Sequence, residues 1–182
     1  MEPDRTALVV VDVQNGFVTD VSRPVVPIIA DLVEQWTAAG RPVVFTRYIN
    51  HPGSLFERLF DWRKLTQAPE TDIVPELAAA AAKASVIDKH GYSLFNEQGR
   101  TLVEQNGWTG LVFCGIDTEI CVLKSAVDAF EAGITPWILT DASASHSSQA
   151  SHDAGIFIGR RFIGPGQFIT VADLRDRPTL RP

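Results

Sequence analysis

Three residues of this 182-residue chain could share one chemistry: Asp12, Lys89 and Cys121. Cys121 lies in the stretch 111–132, LVFCGIDTEICVLKSAVDAFEA. The run Leu111-Val112-Phe113-Cys114 is too short for a helix and suits a strand buried on both faces, ended by Gly115. Thr118 then reads as the N-cap of a helix, its hydroxyl accepting a free backbone N–H. That cap makes Cys121 the third helical position, near the positive end of the helix dipole and its unpaired N–H groups. Such a setting lowers a thiol pKa and supplies donors for an oxyanion. The competing reading of Cys121 is a small buried hydrophobe. Asp12 interrupts the apolar run ALVVVDV, where a carboxylate needs a partner or a shifted pKa; otherwise it caps the loop Gln14-Asn15-Gly16. Lys89 follows Ser85-Val86-Ile87-Asp88 and is either a solvated loop lysine or the partner of these acids. As a set, the carboxylate takes the proton of the thiol, the ammonium stabilises the thiolate, and sulfur attacks a carbonyl carbon.

What must position them is a series of alternating strands and helices. Strands are expected at 7–13, 42–46, 85–88, 111–114, 136–140 and 168–170. Helices are expected at 26–39, 74–83, 97–106, 120–132 and, in part, 147–161. The helix at 120–132 should bury the stripe Ile120, Leu123, Val127 and Phe130. Alternation of this kind gives right-handed βαβ units and a parallel sheet between two helix layers. The expected fold is therefore an α/β three-layer α/β/α sandwich with six parallel strands in the order 3-2-1-4-5-6, one domain over 1–182. Its ligand crevice lies beyond the carboxyl ends of the strands, where strand order reverses. Asp12 and Cys121 sit at the ends of strands one and four, which flank that reversal. Lys89, after strand three, reaches in on its four-carbon stem.

The long stretch 47–71 carries Tyr48, His51, Phe56, Phe60 and Trp62. It reads as a lid whose aromatics either roof a pocket or make a subunit contact. The tail after Asp173 is rich in Pro and Arg and reads as loose. A net charge of −6 argues against a nucleic-acid or anionic-membrane surface. No apolar run approaches a membrane span, and Met1-Glu2-Pro3-Asp4 lacks the positive region of a signal peptide. Two cysteines in no CxxC or zinc spacing suit a reducing compartment, so the expected location is cytoplasmic. Cys114, mid-strand, reads as core packing.

Three segments together resemble the isochorismatase-like cysteine hydrolase superfamily: LVVVDVQNGF, VIDKHGYSLF and GIDTEICV. A weaker match surrounds His152 in ASHDAG. The resemblance runs from about Arg5 to Asp173. It implies an Asp12-Lys89-Cys121 triad and a cis peptide between Ile116 and Asp117, which turns backbone N–H groups near Asp117 and Cys121 into the oxyanion site. Gln14, Phe17, Arg47, Tyr48 and Tyr92 are the residues expected to touch substrate.

Within that superfamily, isochorismate hydrolases resemble the chain at the Asp and Lys but lack the cysteine. Nicotinamidases carry an Asp-x-His pair and another histidine after strand two. Here that region reads Thr46-Arg47-Tyr48-Ile49-Asn50-His51-Pro52, with His51 alone, so neither a metal nor another cofactor is expected. Arg47 offers a fork for a substrate carboxylate, as in an N-carbamoyl amino acid, or pairs with a lid carboxylate. The expected activity is cysteine-dependent hydrolysis of a small amide or N-carbamoyl compound through a thioester. The alternatives are hydrolysis of an isochorismate-type vinyl ether and a degenerate, non-enzymatic binding protein. The expected partners are a small-molecule substrate and further copies of the chain, as a dimer or tetramer.

Overall fold

The computed structural model describes residues 3–176. Six parallel strands form one sheet in the order β3-β2-β1-β4-β5-β6, the order expected from the sequence. They are β1 (Thr6–Val11), β2 (Val43–Tyr48), β3 (Ser85–Lys89), β4 (Gly110–Ile116), β5 (Thr135–Ala144) and β6 (Phe168–Ile169). Every residue of β1 and β4 is buried, as befits central strands covered on both faces. Side chains alternate across the sheet. Leu8 and Val10 therefore join one core, with Ile29, Leu32 and Trp36 of α1 (Val25–Ala38), Leu77 of α3 (Pro75–Ala81) and Leu174 of α7 (Val171–Asp176). Ala7, Val9 and Val11 join the other, with Val103 of α4 (Glu97–Asn106), Ala126 and Ala129 of α5 (Leu123–Glu131) and Ile163 of α6 (Gln149–Ile163). No helix among the described residues is long and apolar enough to cross a membrane.

Several details differ from the sequence reading, and most of them bear on the site. β1 ends at Val11, so Asp12 stands just beyond it, with φ +50°. That left-handed backbone is one an aspartate tolerates better than a branched residue does. Arg47 and Tyr48 belong to β2, and the lid holds a short helix, α2 (Leu55–Phe60), capped by Ser54. β5 does not stop at Asp141. Its register against β4 shifts between Phe113 and Gly115, and the strand runs on to Ala144, carrying His146 towards the end of β4. Most of the tail after Asp173, expected to be loose, lies outside the described residues, but its first three residues close the helix Val171–Asp176.

A further difference is at Cys121. Residues Thr118–Val122 form a π-helical turn before α5, with Asp117 rather than Thr118 at its cap. Thr118 Oγ1 is 2.7 Å from His152 Nδ1 on α6 instead. The extra residue in the turn rotates the helix relative to a simple 3.6-residue count. Leu123, Ala126 and Ala129 are buried, while Ile120 and Phe130, expected in the apolar stripe, are exposed. Gly115 continues β4 rather than ending it. Its φ of +121° and the place a Cβ would take, 2.1 Å from the Val11 carbonyl oxygen, both demand glycine. The ends of β1 and β4 are thereby brought close where Asp12 and Asp117 leave them.

Candidate active site

The floor of the site is an ion pair shut away from water. Lys89 and Asp12 side chains are 1% and 0% exposed, with Lys89 Nζ 2.5 Å from Asp12 Oδ2. Lys89 also donates to the Gly91 carbonyl at 3.1 Å and sits 5.6 Å from the centre of the Tyr48 ring. The other carboxylate oxygen, Asp12 Oδ1, accepts from Thr46 Oγ1 at 2.6 Å, and Thr46 Oγ1 accepts in turn from the Asp12 backbone N–H. Buried charges persist only when paired and hydrogen-bonded, and this pair is both.

Cys121, also buried, lies near enough to Asp12 and Lys89 for both charges to act on its thiol. The structure thus brings the three residues together. Its electrostatics correct one expectation. Burial and then the Asp12 carboxylate push the Cys121 thiol well above its ordinary range, against the pull of Lys89. The sequence reading placed the thiol at a simple helix N-terminus and expected it lowered. Burial and the anionic neighbour reverse that. Burial also pulls the Lys89 ammonium down, but Asp12 and Cys121 outweigh it and hold it above its ordinary value. Cys114 is buried and its thiol raised by burial alone, in keeping with core packing.

Above this floor lies a cavity of about 270 Å³ reaching Cys121. Phe17, Tyr48 and Tyr92, three of the five expected substrate contacts, line it. Phe56, Phe60 and Trp62 of the lid complete an aromatic wall, with the Phe17 and Trp62 rings stacked at 6.0 Å and Phe56 edge-on to Tyr92 at 5.2 Å. The lid aromatics therefore roof a pocket, one of the two roles open from sequence.

The other two expected contacts are elsewhere. Gln14 is fully buried below the lid. Its Nε2 donates to the Tyr48 and Thr71 carbonyls, and its Oε1 accepts from the Tyr48 N–H. It ties both ends of the lid to β1. Arg47 follows the period-two alternation of β2. Tyr48 faces the cavity, so Arg47 faces away, where it grips its cross-strand partner Asp88 by two hydrogen bonds of 2.7 and 2.8 Å. It is not available as a fork for substrate. The Ile116–Asp117 peptide is cis.

Two contributors, Thr46 and Ser125, are absent from the sequence reading of the site, and a third, His146, opens the loop that the sequence expects to shape the pocket. Thr46 holds Asp12, and only the β1–β2 register reveals it. Ser125 Oγ donates to the Cys121 carbonyl and accepts from the Leu94 N–H, locking the π turn to the loop after β3. A serine four residues after the cysteine, on the buried face of the helix, is a signal that sequence could have offered. His146 lines the cavity and is bonded twice to Asp117: its ring Nδ1 lies 2.6 Å from Oδ2, and its backbone N–H donates to Oδ1 at 2.6 Å. The hydrogen bond to Asp117 raises the imidazole above its ordinary value despite some loss to burial.

His51 is not isolated in space: its ring meets that of His90 edge-on at 5.6 Å. Each ring already has Nδ1 close to a backbone carbonyl, of Pro52 and Ile49 respectively. Among the described residues no group of three or more His, Cys, Asp or Glu side chains could hold a metal ion. The metal site of the nicotinamidase branch does not fit these residues.

Comparison with protein families matches residues 6–172 to the Isochorismatase domain. A probable isochorismatase of Pseudomonas chlororaphis is 31% identical over 160 residues, spanning 82% of this chain and 76% of the relative. The ureidoacrylate amidohydrolase RutB of Azorhizobium caulinodans is 28% identical over 211 residues, spanning 94% of this chain and 89% of the relative. Among solved structures, a cysteine hydrolase from Pseudomonas syringae pv. phaseolicola superposes with a TM-score of 0.84 at 21% identity, covering 95% of this chain and 92% of the other.

Proposed function

The chain belongs to the isochorismatase family of hydrolases, and from that premise we propose that it cleaves the C–N bond of a small, non-peptide amide or N-carbamoyl compound through a thioester on Cys121. The observation that carries the proposal is a thiol set against a buried Asp12–Lys89 pair at the bottom of an aromatic cavity. RutB, named as an amidohydrolase, supports the choice of bond.

In this reading Asp12 takes the thiol proton as sulfur attacks the carbonyl carbon. The oxyanion forms beside the backbone N–H groups of Asp117 and Cys121, where one donor is worth about 10²–10³ in rate. Protonated Asp12 returns its proton to the leaving nitrogen, and the C–N bond breaks. Water then adds to the thioester with Asp12 again as base, releasing the acid and the free thiol. Lys89 stays an ammonium throughout and keeps Asp12 ionised between steps.

The test is a panel of primary amides, N-carbamoyl amino acids and hydroxamates, followed by Cys121→Ala on any substrate found. The expected result is loss of hydrolysis, with an acyl adduct on Cys121 trapped by mass spectrometry in the parent. Undiminished hydrolysis by Cys121→Ala ends the proposal. The Pseudomonas chlororaphis relative favours a second reading, vinyl ether hydrolysis with Asp12 as acid and Cys121 a bystander. A direct assay of isochorismate with parent and Cys121→Ala separates the two.

A further inference from the structure

We propose that His146, held by Asp117, recognises an anionic group on the substrate, so that the site takes flat, unsaturated or aromatic amides that also carry a carboxylate. This rests on the hydrolase reading above and narrows its substrate class. Stacked Phe17 and Trp62, with Tyr48 and Phe56 around them, suit a planar body. Among the described residues no lysine or arginine lines this cavity. Lys89 beneath it is held by Asp12 and the Gly91 carbonyl, and Arg47 is held outside by Asp88. Among the described residues that line the cavity, the one cation-forming side chain an acidic substrate can meet is His146.

Its posture suits the task. Both oxygens of Asp117 are bonded within His146, one to the ring and one to the backbone N–H. Thr19 Oγ1 donates to the His146 carbonyl, and the Phe17 ring packs 5.8 Å from the imidazole. The ring is therefore fixed with Nδ1 spent, and Nε2 has no partner among the described residues. The charge count follows. Protonated, the Asp117–His146 pair is neutral and Nε2–H is a donor. Deprotonated, the pair carries a net negative charge and Nε2 is only an acceptor. The other charged groups acting on the ring are Glu119, bonded to Ser145, and Lys64 from the segment after α2. The wall thus accepts an anion in one state and repels it in the other. The raised value of His146 carries the accepting state to higher pH than a free imidazole would reach.

The probes are benzoate and its neutral isostere nitrobenzene, titrated calorimetrically against the wild-type protein. Between about pH 6 and about pH 9, where an imidazole of raised pKa loses its proton, benzoate is expected to weaken about tenfold. Nitrobenzene should hold its affinity. His146→Gln should bind benzoate at the weak, high-pH level throughout and leave nitrobenzene unchanged. Benzoate binding that ignores pH in the wild-type protein overturns the proposal without recourse to any variant. So does a pH dependence that survives His146→Gln, or failure of benzoate to bind at either pH. These readouts need no turnover, so they stand apart from the fate of the Cys121 mechanism.

Discussion

Replacing Lys89 by methionine removes one charge from a pair that has no access to water. Asp12 keeps its 2.6 Å bond from Thr46 Oγ1 but loses the cation at Oδ2. Breaking a buried pair from one side costs about 3–5 kcal/mol, because the remaining charge is stranded. The surviving Thr46 bond returns about 1 kcal/mol of that, so a loss of about 3 kcal/mol is expected. With a urea slope of about 2–3 kcal/mol per molar, the unfolding midpoint should fall by about 1–1.5 M. Asp12→Asn is the right second arm, since the φ of +50° suits Asn as well as Asp and the amide oxygen can still accept from Thr46. It leaves Lys89 with the Gly91 carbonyl alone and should also destabilise. The double variant buries no charge and should recover to within about 1–2 kcal/mol of the parent, a coupling of at least about 2 kcal/mol. Because the folded Lys89 value is raised, its contribution is fully present below the ordinary value of 10.5 and is lost only as pH rises through the folded value above it. The difference between parent and Lys89→Met should therefore be flat across neutral pH. Urea melts followed by circular dichroism measure all four proteins. A Lys89→Met midpoint indistinguishable from the parent, or strictly additive losses in the double variant, refutes the reasoning.

Gly115→Ala forces a Cβ to within 2.1 Å of the Val11 oxygen at a φ of +121°, and a loss of about 3 kcal/mol or more is expected in thermal melts. Thr46→Val keeps the volume but strips Asp12 of its hydroxyl partner. It should cost about 1–2 kcal/mol in stability and lower kcat on any confirmed substrate while leaving KM nearly unchanged. Iodoacetamide should label Cys121 slowly at neutral pH, with the rate rising only above the ordinary thiol value of 9.0, as peptide mass spectrometry will report. Fast labelling at neutral pH contradicts the electrostatics of the site.

The strands and helices were legible because each strand is a short apolar run and each helix a periodic one, and both patterns survive in a single sequence. Asp12 was legible as a carboxylate breaking an apolar run, and Lys89 as a lysine at a strand end. What sequence concealed is set by geometry between elements. Arg47 looked free because its partner, Asp88, is distant in the chain and adjacent only through the β2–β3 register. Thr46 was hidden for the same reason on the opposite face. Thr118 has the chemistry of a cap, but β4 runs on to Ile116 and Asp117 takes the cap position, so its hydroxyl turns to His152. His146 reaches the site only because β5 shifts register and runs on, which apolar periodicity does not record.

A thiol held protonated is consistent with a thiol that attacks. The floor of the site holds two acids, Asp12 and Cys121, and one cation, Lys89. If both acids ionise, two negative charges share a single ammonium in a buried space, so the lower-energy state keeps a proton, and it rests on sulfur. In the proposed reaction an arriving carbonyl changes that balance. Attack moves the negative charge from sulfur to an oxygen on the far side of the new bond, away from Asp12 and towards backbone N–H groups. Asp12 can then accept the proton without two anions ever standing side by side. A low-pKa thiolate would be present more of the time but is a weaker nucleophile once formed. Burial and the neighbouring carboxylate therefore conserve the reactivity of Cys121 while leaving little free thiolate for other electrophiles to capture.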